Sequence, residues 1–169
     1  MVCSTNYRMY LVLEYSFKSL RQEMQERGSS NSPFQESDLW SILYSCCCGL
    51  NRLYASGATH ECLTSDQMFI SSDGFVKMAE PLLFGLEKNH LHVMQAREGQ
   101  PLAVHLSPEI MGCLDDQNFF YYDKEKSDVF VMGMIMVDLA LLGDHFLYDT
   151  ERHQAKLEVI PGFLKKIEV

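Results

Sequence analysis

The chain has 169 residues, 47% of them hydrophobic, and a net charge of −9. That length and composition suit one globular domain with a sizeable core, and the acidic balance argues against nucleic acid, whose phosphates need a basic surface. Of the six cysteines, Cys46, Cys47 and Cys48 are consecutive on a helical pattern and cannot pair with one another, and no C-x-x-C pair has zinc spacing. Reduced thiols in an intracellular, cytoplasmic setting are expected. Residues 1–15 lack a secretory signal pattern. The most apolar segment, Val129 to Leu142, contains Asp138 and is too short and polar to span a bilayer, so no membrane association is expected.

In chain order, Tyr7 to Tyr15 reads as one strand of β-forming side chains. A short helix from Ser19-Leu20 to about Arg27 follows, stopped by Gly28, and 29–33 is a polar loop. Phe34 to Ser56 carries apolar residues at i, i+3, i+4 and i+7 spacing: Leu39, Ile42, Leu43, Cys46, Cys47, Leu50, Leu53 and Tyr54. Ser37 or Gln35 can start this helix and Gly57 ends it. Trp40 reads as a packing residue. His60 to Ile70 is a loop and a short strand, Asp73-Gly74 is a hairpin turn, and Val76 to Ala79 is the return strand. A helix from about Lys126 to Leu142 reads as buried. The last stretch, from His145 to Val169, holds one or two short helices with a break at Pro161-Gly162.

The landmarks His60-Glu61-Cys62-Leu63 with Gln67, Glu80-Pro81-Leu82, Ser107-Pro108-Glu109 and Lys126-Ser127-Asp128-Val129 occur in the order of a known set. Together they resemble the protein kinase family, whose signatures are H-R-D-L-x-x-x-N, D-F-G, A-P-E and K-S-D-V-W-S-x-G. The likeness runs from about Tyr10 to Leu142. It implies a mainly α fold (α+β by family): a kinase-like large lobe with one N-terminal hinge strand and a small β-hairpin at about 67–79, the small lobe absent. The expected division of this single truncated domain is a hinge strand at 1–18, a large-lobe core at 19–143 and a divergent tail at 144–169.

The resemblance also assigns roles. The family's catalytic Asp, which accepts the substrate hydroxyl proton, is Cys62 here, a thiol with an ordinary pKa near 8.5. The metal-holding Asn is Gln67, its amide displaced by one methylene. The D-F-G Asp is Glu80. Leu13 falls at the gatekeeper and Glu14, Tyr15 and Ser16 at the hinge, a vestige of the nucleotide site. The Gly-rich loop and the V-A-I-K lysine are not found upstream, so the strand is expected to have an exposed edge, with either a partner chain on it or a poorly ordered start. His60, Asp128 and Glu109 are expected to be structural, with Asp128 accepting hydrogen bonds from the backbone of the His60 loop. Between Leu83 and Leu106 there is no Ser, Thr or Tyr, and the phosphate-receiving Arg of H-R-D is Glu61, so a phosphorylation switch lacks both acceptor and receiver.

Other constellations carry less. His90, His92 and His105 lack the carboxylate or thiol companions of a metal site. A Cys62–His60 nucleophile dyad fails because the family's His faces away from the Asp position. The ten methionines read as core filler rather than a binding groove. The expected function is therefore a catalytically inactive protein-kinase-like scaffold or interaction protein with no cofactor and no metal. Its partner would be another protein: an active kinase or a multi-subunit assembly. The rival readings are a weak or split kinase completed by a small lobe in trans, and a structural subunit of a large assembly.

Overall fold

The computed structural model of the protein describes residues 2–5, 8–11, 18–79, 104–112, 122–149 and 154–167. Two strands, β1 (Val2–Thr5) and β2 (Arg8–Leu11), form an antiparallel hairpin with Val2 opposite Leu11 and Thr5 opposite Arg8. The expected single hinge strand is thus corrected to a two-stranded ribbon. The expectation that this strand lost its neighbours fails on the β1 side, because the residues before Tyr7 are themselves β-capable and fold back on it.

β3 (Lys18–Ser19) runs directly into α1 (Leu20–Ser30). Ser19 caps the helix reciprocally: its hydroxyl accepts from the Gln22 N–H at 3.3 Å, and the Gln22 side chain accepts from the Ser19 N–H at 3.0 Å. This is the capping box that fixes a helix start. Gly28 does not stop α1. The helix continues to Asn31, which adopts the left-handed conformation at φ 51°, while the Ser32 N–H closes back on the Arg27 carbonyl at 2.9 Å. Asn tolerates that conformation and supplies the terminator.

α2 (Glu36–Ala55) begins at Gln35, whose N–H donates to the Asp38 carboxylate at 3.2 Å. Its twenty residues span about 30 Å at the usual rise. Ile42, Cys46 and Leu50 are buried along one face. Two expectations are corrected on the opposite face: Trp40 is 63% exposed and Cys47 is exposed. Both lie on the helix side away from Ile42 and Cys46, and Trp40 is held by a hydrogen bond from its Nε1 to Glu36 at 3.1 Å.

After α2 a loop leads to a 3-10 turn at Ser65–Gln67, then β4 (Met68–Ile70), the Asp73-Gly74 turn and β5 (Val76–Met78). Gly74 has φ +82°, which a side chain would oppose. β3, β4 and β5 form one antiparallel sheet, Lys18 opposite Ile70 and Ile70 opposite Val76. The hairpin therefore lies where expected but gains a third strand.

α3 (Pro108–Gly112) precedes α4 (Lys124–Leu141), which Asp123 caps by accepting from the Lys126 N–H at 3.1 Å. α4 divides the interior. Val131, Met132, Ile135 and Leu139 join Leu20, Met24, Ile42, Cys46, Leu50, Leu63 and Met68 in one cluster. Met134 faces a second cluster with Leu106, Ile110, Met111 and Leu147. Both are continuous apolar cores, whose burial drives the fold at about 25 cal/mol per Å².

β6 (Tyr148–Asp149) pairs with β7 (Gln154–Ala155), and α5 (Ile160–Ile167) follows. Pro161-Gly162 does not break this stretch, because Pro161 lies in the first turn of α5, where its missing N–H costs no helix bond. Ile160 and Phe163 pack on the second cluster, and Arg21 of α1 makes a bidentate pair with Asp144 at 2.9 and 2.7 Å. The segment expected to be a divergent tail is integrated with the lobe. Among the described residues, no helix is long and apolar enough to cross a membrane.

Candidate functional site

The site is the loop from Thr59 to Gln67, held against the first turn of α4. α2 delivers the chain into it: Gly57, at φ +77°, turns the backbone just past the end of α2. Asp128 is the anchor. It is only 2% exposed, and its two oxygens accept the His60 N–H and the Glu61 N–H, each at 2.8 Å. Burial pushes the Asp128 carboxyl above its ordinary value, and the two N–H donors work against that shift.

A third donor completes the anchor. The Tyr54 hydroxyl lies 3.3 Å from Asp128 Oδ2 and 3.4 Å from the Glu125 carbonyl. Burial, then the Asp128 charge, drives the Tyr54 phenol well above the usual tyrosine range. The constraint forces Glu61 to φ 62°, a conformation uncommon outside glycine and costly unless its surroundings impose it. Here Asp128 imposes it.

The side chains then take fixed places. His60 is buried, and its Nε2 lies 3.1 Å from the Ala79 carbonyl at the end of β5. Cys62 is buried and in no disulfide, and Leu63 points into the first core cluster. Gln67 is half-buried in the 3-10 turn. Its carbonyl accepts from the Ala79 N–H at 2.8 Å, and its side-chain Oε1 is buried with no hydrogen-bond partner among the described residues. The loop is thus tied at both ends, to α4 through Asp128 and to β5 through His60 and Gln67.

Asp128 meets the backbone of the loop that carries His60, Cys62 and Gln67. Glu109 does not join them: it is exposed on α3 with no ion-pair partner among the described residues. Glu80 and the hinge positions Leu13, Glu14, Tyr15 and Ser16 lie outside the described residues, as do His90 and His92. The Cys62 sulfur is a soft donor that suits a hard divalent cation poorly, whereas the Gln67 amide oxygen is of a type such ions accept.

Sequence reasoning missed three features. Glu61 is not left without a cation: Lys124 Nζ lies 3.0 Å from its Oε2, and the Thr59 hydroxyl donates to its Oε1 at 2.7 Å. Lys124 stands four residues before Asp128, so docking of Asp128 on the loop brings the two together. Tyr54, an apolar position by the helix pattern, lies beside Asp128 once α2 and α4 are packed together. The third is a buried pair, His105 Nε2 to Asp138 Oδ2 at 2.6 Å, with the His145 N–H donating to the other Asp138 oxygen at 2.8 Å. Asp138, expected only to spoil a membrane span, ties the segment before α3 to the loop after α4.

The family model described as protein tyrosine and serine/threonine kinase matches residues 1–162. No curated protein sequence matches the chain.

Proposed function

The chain belongs to the protein tyrosine and serine/threonine kinase family, and on that premise we propose that it is a catalytically inactive, kinase-like scaffold or interaction protein of the cytoplasm. The observation that carries the proposal is the pairing of a fully built loop with a thiol at its centre. Asp128, His60 and Gln67 hold the loop by four hydrogen bonds of 2.8 to 3.1 Å, and the sequence resemblance aligns Cys62 with the family's proton acceptor. A buried thiol is a weak base for a hydroxyl proton, and loss of a single group from a catalytic unit removes several powers of ten in rate.

Charge supports the same reading. In the family, the residue after the His receives the activation-segment phosphate as a cation. Here that residue is an anion, Glu61, paired to Lys124. A phosphate brought there would meet a carboxylate. Glu61 is instead neutralised by Lys124, which suits a protein whose surface is constant rather than switched. Its binding partner, on this reading, is another protein.

The test is transfer of the γ-phosphate of Mg-ATP to the chain itself and to generic acidic and basic peptide substrates. The proposal predicts incorporation no greater than in protein-free controls. Incorporation that disappears in Cys62→Ser would overturn it and favour a weak kinase.

A further inference from the structure

The outer face of α2 carries the second inference, which rests on the fold alone and not on the loss of catalysis. Trp40 is 63% exposed and Tyr44 is 68% exposed. Cys47 and Cys48 are exposed free thiols one turn further on. At 100° per residue these four side chains, with Asn51, fall on one side of the helix. Aromatic residues on an exposed, uncharged stripe are the composition of an interface core, from which charge is depleted.

The charges identify the occupant. The chain carries a net −9, yet from Ser37 to Asn51 the sole charged residue is Asp38. Its carboxylate is turned to the Gln35 N–H and to Arg27, at 3.2 and 3.6 Å. Two copies of an acidic chain meet with least repulsion across such a stripe. Its ends carry opposite charges: Glu36 at the start, and Arg52 at the finish, exposed and without an ion-pair partner among the described residues. Parallel pairing of two α2 helices would set like charges together. Antiparallel pairing about Tyr44 brings Glu36 of each copy to the same end as Arg52 of the other, and opposes the two helix dipoles.

We propose that a second copy of this chain docks on the face formed by Trp40, Tyr44, Cys47 and Cys48, its α2 running antiparallel across a two-fold axis near Tyr44. The interface is isologous, so each aromatic meets the partner's equivalent surface. In this register Trp40 lies across from Cys48 of the second copy.

Trp40 is the chain's single tryptophan, so it reports directly. Sedimentation equilibrium on the full reduced chain, with tryptophan emission followed in parallel, is the experiment. The expected result is a reversible monomer–dimer equilibrium with a blue shift of emission on dimerisation and slowed labelling of Cys48 by an aromatic disulfide reagent. Tyr44→Glu raises the dissociation constant at least about tenfold. Glu36→Arg weakens the dimer by about threefold or more, and Glu36→Arg with Arg52→Glu restores it. Leu164→Glu on α5, another exposed apolar position, leaves it unchanged. A chain that stays monomeric at about 200 µM, a dimer indifferent to Tyr44→Glu, a dimer abolished by Leu164→Glu, or a charge swap that fails to restore association each overturns the proposal.

Discussion

Replacing Asp128 by alanine strips the His60 loop of its anchor. Two backbone N–H groups, each 2.8 Å from the carboxylate, lose their acceptor in a place that is 2% exposed at Asp128 itself. An unsatisfied buried donor costs about 1–3 kcal/mol. Against that, the variant no longer carries a buried carboxylate whose burial already pushes its carboxyl upward, which returns part of the loss. The net destabilisation is about 3 kcal/mol, a fall in Tm of about 6–12 °C for a domain of this size. Asp128→Asn keeps one acceptor and loses about half as much. Thermal and urea unfolding measure the totals. Amide hydrogen exchange locates them: the His60 and Glu61 amides lose protection in the alanine variant, because Glu61 at φ 62° relaxes once its N–H has lost the Asp128 carboxylate. A loss under about 0.5 kcal/mol with exchange unchanged at those two amides would refute the anchoring argument.

Other consequences follow from the packing and charges. Leu139 is 0% exposed in the larger core cluster, and Leu139→Ala should cost about 2–5 kcal/mol by urea unfolding. Glu23 is raised by burial but lowered more by Lys18 and Arg27, so its carboxyl sits below the ordinary 4.5. A depressed carboxylate stabilises above its unfolded value and loses that contribution as pH falls through the folded value. The Tm gap between the native chain and Glu23→Gln should therefore close as pH drops from about 5 to about 3. Burial pushes the Cys46 thiol up to about 12. At pH 8 an alkylating reagent should modify Cys47 and Cys48 quickly, and Cys46 only on unfolding. Rapid labelling of Cys46 in the folded chain would contradict its placement. Tyr54→Phe should remove one late-titrating phenol from the alkaline ultraviolet titration, since burial and Asp128 hold that proton.

What the sequence made legible was the framework with strong local signals. The long periodic helix and the Asp73-Gly74 turn depend on residues whose spacing dictates their neighbours, whereas the pairing of Asp128 with the His60 loop, 68 positions away, was legible only through the kinase resemblance. Features governed by competition were harder to read. Gly28 looked like a stop, yet glycine inside a helix costs only about 1 kcal/mol, and Asn31 offered a better terminator three residues on. Pro161 looked like a break, but a proline in a first turn loses no helix bond. Trp40 looked like packing because large apolar side chains usually are buried. The helix phase puts it opposite Ile42 and Cys46, and phase outranks hydrophobicity.

The remaining misses are long-range. Nothing local in the sequence joins His105 to Asp138 across 33 positions, or Arg21 to Asp144 across 123. Such pairs emerge only once α4 is placed between the two core clusters. The Glu61–Lys124 contact is of the same kind, although it could have been found by docking Asp128 on the loop and asking which cation came with it. Charge at the phosphate-receiving position was read as a loss, and the structure shows a substitute pair.

The central claim is a retained packing framework around a site that no longer handles nucleotide. A thermal-shift titration of the native chain with Mg-ATP tests it most directly, because any ligand that binds only the folded state must raise Tm by mass action. At a hundred times its dissociation constant such a ligand adds about 2.7 kcal/mol, or about 5–10 °C here. The account predicts no saturable shift up to millimolar nucleotide. A saturable rise of that size, dependent on the magnesium ion, would contradict it.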